Sequence, residues 1–111
     1  MLDLCSLESN ISLERIVGLE VINAEEYQKY RDNMIPILHS FGGNFGFDFI
    51  VSEVLKPKTD DVINRVFTID FPSKRSMDNF FSDPGYLAVK NKYFQHSVKS
   101  VTTISIHEKN T

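Results

Sequence analysis

The chain alternates between segments with strand-like and helix-like spacing of apolar residues. From Leu13 to Ile22, apolar residues fall at roughly every second position, which predicts a strand. From Asn23 to the Gly42-Gly43 pair, they recur at intervals of three and four, which predicts a helix with one apolar face. Asn23 is a suitable N-cap, because its side-chain oxygen can accept a hydrogen bond from the first helical turn. The apolar helix positions are Tyr27, Tyr30, Met34, Ile37 and Leu38.

Two further strands are predicted in the middle of the chain. Apolar and polar residues alternate almost regularly from Asn44 to Lys56. One face of that strand would carry Phe45, Phe47, Phe49 and Val51, and the other Gly46, Asp48 and Ile50. The charged segment Pro57–Asp61 predicts a turn, and Val62–Phe71 predicts the next strand.

Ser73 and Pro84 mark the starts of two predicted helices. Ser73 can cap a helix over residues 74–81, which ends before Pro84 because the residue preceding a proline disfavours helical conformation. Pro84 suits the first position of a second helix, over residues 84–95. The segment Val98–His107 then predicts a last strand. On it, one face would carry Val101, Thr103, Ser105 and His107, and the other Thr102, Ile104 and Ile106.

The resulting element order is β-α-β-β-α(α)-β, which is the order of the ferredoxin-like fold in the α+β class. It predicts a four-stranded antiparallel sheet with helices on one face. Because apolar residues occur on both sides of several strands, the other face should also be buried. We therefore expect a homodimer in which two sheets close into a dimeric α+β barrel, with Phe45, Phe47 and Phe49 in the interface. Residues 1–12 are expected to form an N-terminal extension, and residues 13–111 the single domain.

Composition and charge limit the functions to be considered. The 111 residues carry a formal net charge of −3, which argues against a surface for nucleic acids or anionic membranes. No apolar run is long enough to span a bilayer, and the opening residues Met1–Leu4 lack the features of a signal peptide. The single cysteine, Cys5, cannot form an internal disulfide. We therefore expect a cytoplasmic protein without a membrane or nucleic-acid partner.

Several short motifs together resemble those of one protein family. They are Tyr27-x-x-Tyr30-Arg31, Pro36, Phe41-Gly42-Gly43, Arg65, Phe71-Pro72-Ser73 and Pro84-x-Tyr86. In this order and spacing they resemble the domain of unknown function family 1330, from about Leu13 to Glu108. The resemblance implies a dimeric α+β barrel, an architecture that small antibiotic-biosynthesis-type monooxygenases also use, and it implies no particular reaction. The chain differs from the family pattern at Asp48, where that pattern usually has arginine.

Three tyrosines are candidates for a ligand-binding cleft between helices and sheet. Tyr27 and Tyr30 lie on one face of the first predicted helix, and Tyr86 follows the Pro84 turn. Their phenol groups can orient a small polar ligand or donate a proton to it. The alternative is that they are core aromatics whose hydroxyl groups reach water.

Three charged or titratable residues complete the candidate cleft: Arg65, Asp48 and His107. Arg65 can hold a carboxylate or phosphate, or it can form an ion pair within the sheet. The possible partners for that pair are Asp48, Asp70 and Glu20. His107 is in phase with Val101, Thr103 and Ser105 on the last strand and can point into the barrel.

Two other interpretations are weaker. The segment 43–49 resembles the aromatic strand of RNA-binding ferredoxin-like domains, but it follows the first helix directly and lacks a leading basic residue. A dimer interface explains its aromatic residues more simply. His39, His96 and His107 show no spacing typical of metal ligands, so we expect no metal site and no cofactor.

Three functions fit these features, and the sequence favours the first. The protein could bind a small polar or acidic metabolite in the cleft, with no particular reaction implied. It could instead be a cofactor-independent monooxygenase- or isomerase-like enzyme, or a non-catalytic dimeric adaptor. A pocket with convergent polar groups and a shifted titratable residue would favour the enzyme, and a filled cleft would favour the adaptor.

Overall fold

A four-stranded antiparallel sheet is the centre of the molecule. The structure is a computed structural model that describes residues 11–109, so most of the predicted N-terminal extension, including Cys5, lies outside the described residues. The strands are β1 (Leu13–Val21), β2 (Asn44–Ile50), β3 (Arg65–Phe71) and β4 (Val98–Glu108), in the sheet order β2-β3-β1-β4. All three pairings are antiparallel, which confirms the predicted ferredoxin-like arrangement.

The helices begin where the predicted capping residues stand. They are α1 (Ala24–Ser40), α2 (Lys74–Ser82) and α3 (Pro84–Val89), followed by a π-helical turn (Lys90–Phe94) and the short α4 (Gln95–Ser97). Asn23 Oδ1 accepts a hydrogen bond from the Glu26 backbone N–H at 3.1 Å, and Ser73 Oγ accepts one from the Ser76 N–H at 3.0 Å. The predicted helix over residues 84–95 is therefore present, but it is interrupted by the π-helical turn.

The hydrophobic core lies between the helices and one face of the sheet. That face is formed mainly by alternate residues of β1 and β3, in agreement with their period of two. Its buried strand residues are Val17, Leu19, Phe67, Ile69 and Phe71. The helices bury Tyr27, Tyr30, Met34, Leu38, Met77, Phe80 and Tyr86 against them. The face without helices is called the open face below.

A β-bulge in β2 places Phe45 on the helix-covered face. Phe45 pairs with Ile69 and Asp48 pairs with Phe67, so two residues of β2 oppose the single residue Thr68. The Phe47 N–H donates to Thr68 Oγ1 at 2.8 Å, which fixes the bulge. The prediction that Phe45 shares a face with Phe47 and Phe49 is therefore wrong, because an extra residue reverses the alternation.

The two middle strands are shorter than predicted. They were expected over residues 44–56 and 62–71, whereas residues 51–64 form a loop between β2 and β3. At Asn64, the backbone still bonds to both neighbours: its N–H donates to the Leu19 carbonyl, and its carbonyl accepts from the Val51 N–H, each at 2.9 Å. The Asn64 side chain then pairs with the backbone of Val21, where Oδ1 accepts from the N–H at 2.8 Å and Nδ2 donates to the carbonyl at 2.9 Å. The side chain thus takes the place of backbone pairing only beyond Asn64.

A second bulge, in β4, places His107 on the open face. The pairing of β1 with β4 shifts between Ile16 and Val17, so that Ser105 lies opposite Ile16 and Thr103 lies opposite Val17. His107 Nε2 lies 2.9 Å from Glu14 Oε1, on the side of the sheet away from the helices. The prediction that Val101, Thr103, Ser105 and His107 share one face is wrong. Ser105 and His107 lie on the open face, whereas Val101 and Thr103 lie on the face toward the helices.

Candidate functional site

A cavity of about 200 Å³ lies between the sheet and the helices. Its aromatic lining includes three tyrosines, Tyr27, Tyr30 and Tyr86. Four phenylalanines add to it, Phe45, Phe67, Phe81 and Phe94. Aliphatic side chains of the sheet and of α1 complete the apolar wall. Among the described residues, the charged side chains that line the cavity are Arg15 and Lys90.

Arg15 is a cation on the apolar side of β1. It alternates with Val17 and Leu19, so the strand aims its side chain toward the helices. Its guanidinium carbon lies 4.8 Å from the centre of the Phe81 ring. The Nε–H is buried without a hydrogen-bond partner, and the hydrogen bond from Nη2 to Thr103 Oγ1 is long, at 3.5 Å. Burial lowers the pKa of Arg15, because it disfavours the charged form.

Lys90 reaches the cavity from the π-helical turn. Both ends of that turn, Lys90 and Phe94, line the cavity, and the Lys90 Nζ lies 6.0 Å from the centre of the Phe94 ring. Among the described residues, no carboxylate lies within ion-pair distance of Lys90 or Arg15. The π-helical turn therefore adds a second unpaired cation to an otherwise apolar wall. Turns of this type occur frequently at functional sites.

The hydroxyl groups of Tyr30 and Tyr86 form a buried pair in the cavity wall. Their oxygens are 2.9 Å apart, and either can donate. Burial raises the pKa of both tyrosines, and for Tyr86 it outweighs the opposing effects of the Tyr30 hydrogen bond and the Arg15 charge. Both phenols therefore stay protonated at neutral pH. The hydrogen bond between the two hydroxyl groups uses one of their two hydrogens, so the other hydrogen remains available to donate to a ligand.

Asp48 joins two arginines beside the cavity. Arg65 donates to both carboxylate oxygens, from Nε to Oδ1 and from Nη2 to Oδ2, each at 2.8 Å. Arg31 Nη1 approaches Asp48 Oδ2 at 3.4 Å, and Arg31 Nε donates to the Tyr27 hydroxyl at 2.7 Å. Hydrogen bonding by Arg65 lowers the pKa of Asp48, although burial opposes this effect. The carboxylate is therefore ionised at neutral pH and holds both cations.

Arg31 is enclosed by aromatic rings. Its guanidinium carbon lies 3.9 Å from the centre of the Phe45 ring, 4.8 Å from that of Phe67 and 5.2 Å from that of Tyr27. Only 5 % of Arg31 is exposed, and its Nη2 is buried without a hydrogen-bond partner. The ionised Asp48 is thus the principal compensation for a buried positive charge.

Comparison with known proteins places the chain in a family. The model of DUF1330, a domain of unknown function, matches residues 15–105. The chain belongs to the DUF1330 family. The match includes every described residue that lines the cavity, from Arg15 to Val101. Among curated proteins, no sequence matches the chain significantly.

Solved structures similar to this DUF1330 protein confirm its fold. A protein of unknown function from Rhodopseudomonas palustris, RPA0582, has a TM-score of 0.78 at 18% identity, covering 92% of this chain and 85% of that one. A DABB family protein with a ferredoxin-like fold from Mesorhizobium loti has a TM-score of 0.63 at 15% identity, covering 91% and 99%. SnoaB, a cofactor-independent oxygenase from Streptomyces nogalater, has a TM-score of 0.54 at 10% identity, covering 91% and 93%.

The DUF1330 chain brings only part of the predicted site together. Tyr27, Tyr30 and Tyr86 line the cavity, and all three also belong to the buried core. Arg65 and Asp48 lie beside it and are bound to each other. Of the three carboxylates that the sequence offered as partners of Arg65, the structure thus has Asp48. The prediction that His107 belongs to this cleft is wrong, because the β4 bulge turns it to the open face.

Three cations that matter at the site were not predicted. Arg15, Arg31 and Lys90 were missed, although the spacing of apolar residues contains a signal for each. Arg15 is in phase with Val17 on β1, Arg31 stands four residues after Tyr27, and Lys90 stands four residues after Tyr86. A cation at the strand or helix spacing of apolar residues is thus the sequence pattern that indicates these three positions.

The described part of this DUF1330 protein offers no metal site. Within residues 11–109, no group of three or more histidine, cysteine, aspartate or glutamate side chains is arranged to hold a metal ion. No helix in that range is long and apolar enough to cross a membrane. The polar groups that line the cavity are the hydroxyls of three tyrosines and the cations of Arg15 and Lys90.

The tyrosine pair is expected to contribute jointly to stability. Replacing Tyr30 or Tyr86 with phenylalanine should each lower the free energy of unfolding by about 1–2 kcal/mol, because one buried hydroxyl is left without its partner. In the double variant, the free energy of unfolding should fall by less than the sum of the two single effects, since the shared hydrogen bond can be lost only once. Urea unfolding of the four proteins measures this coupling, and strictly additive losses would contradict the pairing.

Proposed function

We propose that this DUF1330 protein binds a small acidic metabolite in the cavity, with Arg15 as its main anchor. The observation that carries the proposal is the unpaired charge of the lining. Arg15 and Lys90 face an apolar cavity, and no carboxylate among the described residues pairs with either. An anionic ligand would supply the missing partner.

The partial burial of Arg15 makes an anion a better ligand than a neutral molecule. Burial disfavours the charged guanidinium, and a ligand carboxylate in the cavity would compensate that charge. The carboxylate can accept from both terminal nitrogens together, as guanidinium groups favour. Lys90 adds a second positive charge to the same lining.

Arg65 is a weaker candidate for the anchor than the sequence suggested. Asp48 already occupies its guanidinium through two hydrogen bonds, and Arg65 is not part of the cavity lining. An acid would have to displace an internal carboxylate to bind there. At Arg15, no carboxylate among the described residues stands in the way.

Binding of a ligand has more support than any particular reaction. The pKa values of Tyr30 and Tyr86 are shifted, which favours an enzyme by the criterion above, but burial shifts them upward and keeps both phenols protonated, so neither acts as a general base near neutral pH. The likeness to the oxygenase SnoaB, at 10% identity, concerns the fold alone. The cavity also argues against a purely adaptor role, because an adaptor has no need of an apolar space that faces two unpaired cations.

Binding of acids is tested by comparing each acid with its uncharged amide. In calorimetric titrations of the full chain, hexanoate and phenylacetate should bind at least about tenfold more tightly than hexanamide and phenylacetamide. Arg15→Met should remove most of that preference, because the methionine side chain keeps the apolar packing and loses the charge. Arg75→Met, at an exposed position of α2, is the matched control and should change nothing.

Two results would contradict the proposal. One is equal affinity for acids and amides, or binding of neither. The other is unchanged acid affinity in a folded Arg15→Met variant. Loss of acid binding in Arg65→Met, together with retention in Arg15→Met, would return the anchor to Arg65.

We also infer that two copies of the chain associate through the open face. Phe47 and Phe49 stand on that face with 68% and 51% of their surface exposed, and their rings stack on each other at 5.5 Å. Ile104, on β4, is 52% exposed. Exposed phenylalanines in a stacked pair are a feature of association surfaces.

A further inference from the structure

We propose that the acid is an aromatic carboxylic acid with a single ring. This inference rests on the proposed function and specifies its ligand. It follows from the walls of the cavity, its volume, and the position of Arg15 relative to both.

The walls present aromatic rings in several orientations. Phe45 and Phe67 meet at 5.4 Å with their planes at 72°, and Tyr30 and Phe94 meet at 4.8 Å with their planes at 57°. Seven aromatic side chains line the cavity in all. A planar ligand ring among them can make edge-to-face contacts, which add to the effect of burial alone. An aliphatic chain buries surface there but gains no such contact.

The volume favours a ligand with one ring. An apolar cavity of about 150 Å³ holds benzene. At about 200 Å³, the present cavity has room for a single ring together with a short acidic side chain. Because the cavity is partly open, the second ring of a fused acid would extend toward water and bury less of its surface.

Arg15 determines where in the cavity the acid group binds. Its guanidinium lies against the Phe81 ring, and the centre of that ring is 5.7 Å from that of Tyr86. A carboxylate between Arg15 and Tyr86 can accept from the guanidinium and from the free hydrogen of the tyrosine pair. The ring of the ligand then extends among the remaining aromatic side chains.

The test compares acids that share one charge and differ in the attached group. In calorimetric titrations of the full chain, phenylacetate should bind at least about threefold more tightly than cyclohexylacetate, and at least about tenfold more tightly than hexanoate and 2-naphthylacetate. Cyclohexylacetate is the closest control, because it has a ring of similar size without π electrons. Arg15→Met should reduce phenylacetate affinity to that of phenylacetamide.

The outcomes separate this inference from the proposed function. If all acids bind with equal affinity and all exceed their amides, acid binding holds and the aromatic inference is overturned. Tighter binding of 2-naphthylacetate than of phenylacetate would overturn the single-ring limit. If no acid exceeds its amide, the proposed function fails, and this inference fails with it.

Discussion

Replacing Asp48 with asparagine is expected to lower the free energy of unfolding by about 2 kcal/mol. The substitution keeps the shape of the side chain and removes the negative charge that faces Arg31 and Arg65. Because only 5 % of Arg31 is exposed, its guanidinium would remain buried without a carboxylate. Removing one partner of a fully buried ion pair costs about 3–5 kcal/mol, and the smaller figure allows for the 32% exposure of the Asp48 side chain.

The effect of this substitution should depend on pH. Hydrogen bonding by Arg65 lowers the pKa of Asp48 in the folded chain, whereas the unfolded chain titrates near the ordinary value of about 3.9. A carboxylate with a lowered pKa stabilises the folded state above the unfolded value, and it loses this contribution as the pH falls through the folded value. The difference in the free energy of unfolding between wild type and Asp48→Asn should therefore be complete at pH 7 and should shrink below about pH 4.

Urea unfolding at pH 7 and pH 3, at one protein concentration, measures both effects. Asp78→Asn is the matched control, because Asp78 pairs with Lys74 at 2.7 Å on the exposed surface of α2. The free energy of unfolding of that variant should fall by less than about 0.5 kcal/mol. A loss in Asp48→Asn no larger than in the control, or one that is the same at both pH values, would show that Asp48 does not compensate the buried Arg31.

Replacing both Phe47 and Phe49 with aspartate is expected to convert a dimer into a monomer. The two carboxylates would stand side by side on the open face, where a partner sheet would have to bury them. Since neither ring contributes to the core between sheet and helices, the monomer should stay folded. Light scattering coupled to size-exclusion chromatography measures the mass, and circular dichroism checks the fold.

Leu87→Asp is the matched control for the dimer. Leu87 is also an exposed apolar residue, at 40%, but it lies on α3, on the helical side of the sheet. This variant should remain a dimer. A monomeric wild type would overturn the inferred association, and an unchanged dimer in the double aspartate variant would move the interface away from the open face.

Signals that act within a few residues were sufficient to predict the elements of the fold. Asn23 and Ser73 each accept a hydrogen bond from a residue three positions ahead, so the start of each helix is encoded locally. The alternation in β1 and β3 likewise determines which residues face the helices. From these elements the topology follows.

The errors arose where one strand depends on its partner. The bulge that turns Phe45 toward the helices is held by a hydrogen bond to Thr68, a residue of β3 that is 21 positions away from Phe47. His107 was misplaced in the same way, by a shift in the pairing of β4 with β1. Regular alternation within a segment cannot reveal an extra residue that only the neighbouring strand accommodates.

The binding site was only half predicted for a related reason. The sequence predicted the aromatic residues as candidates, whereas Arg15 was not among the predicted site residues. Arg15 is important because no carboxylate among the described residues pairs with it. Which side chains pair depends on the folded structure and cannot be read from the spacing of residues in the sequence. Asp48 illustrates the converse, since a residue that departs from the family pattern proves to neutralise two arginines.

The π-helical turn gives this fold a simple means of changing its ligand during evolution. A π-helical turn contains one residue more than the α-helical turn it replaces. Loss of one residue between Lys90 and Phe94 would replace this turn by an α-helical one and would change the relative direction of the two side chains around the helix axis. Because both line the cavity, its shape and the position of its cation would change together, while the strands lie outside the deleted turn. Gain or loss of a single codon can thus alter ligand preference.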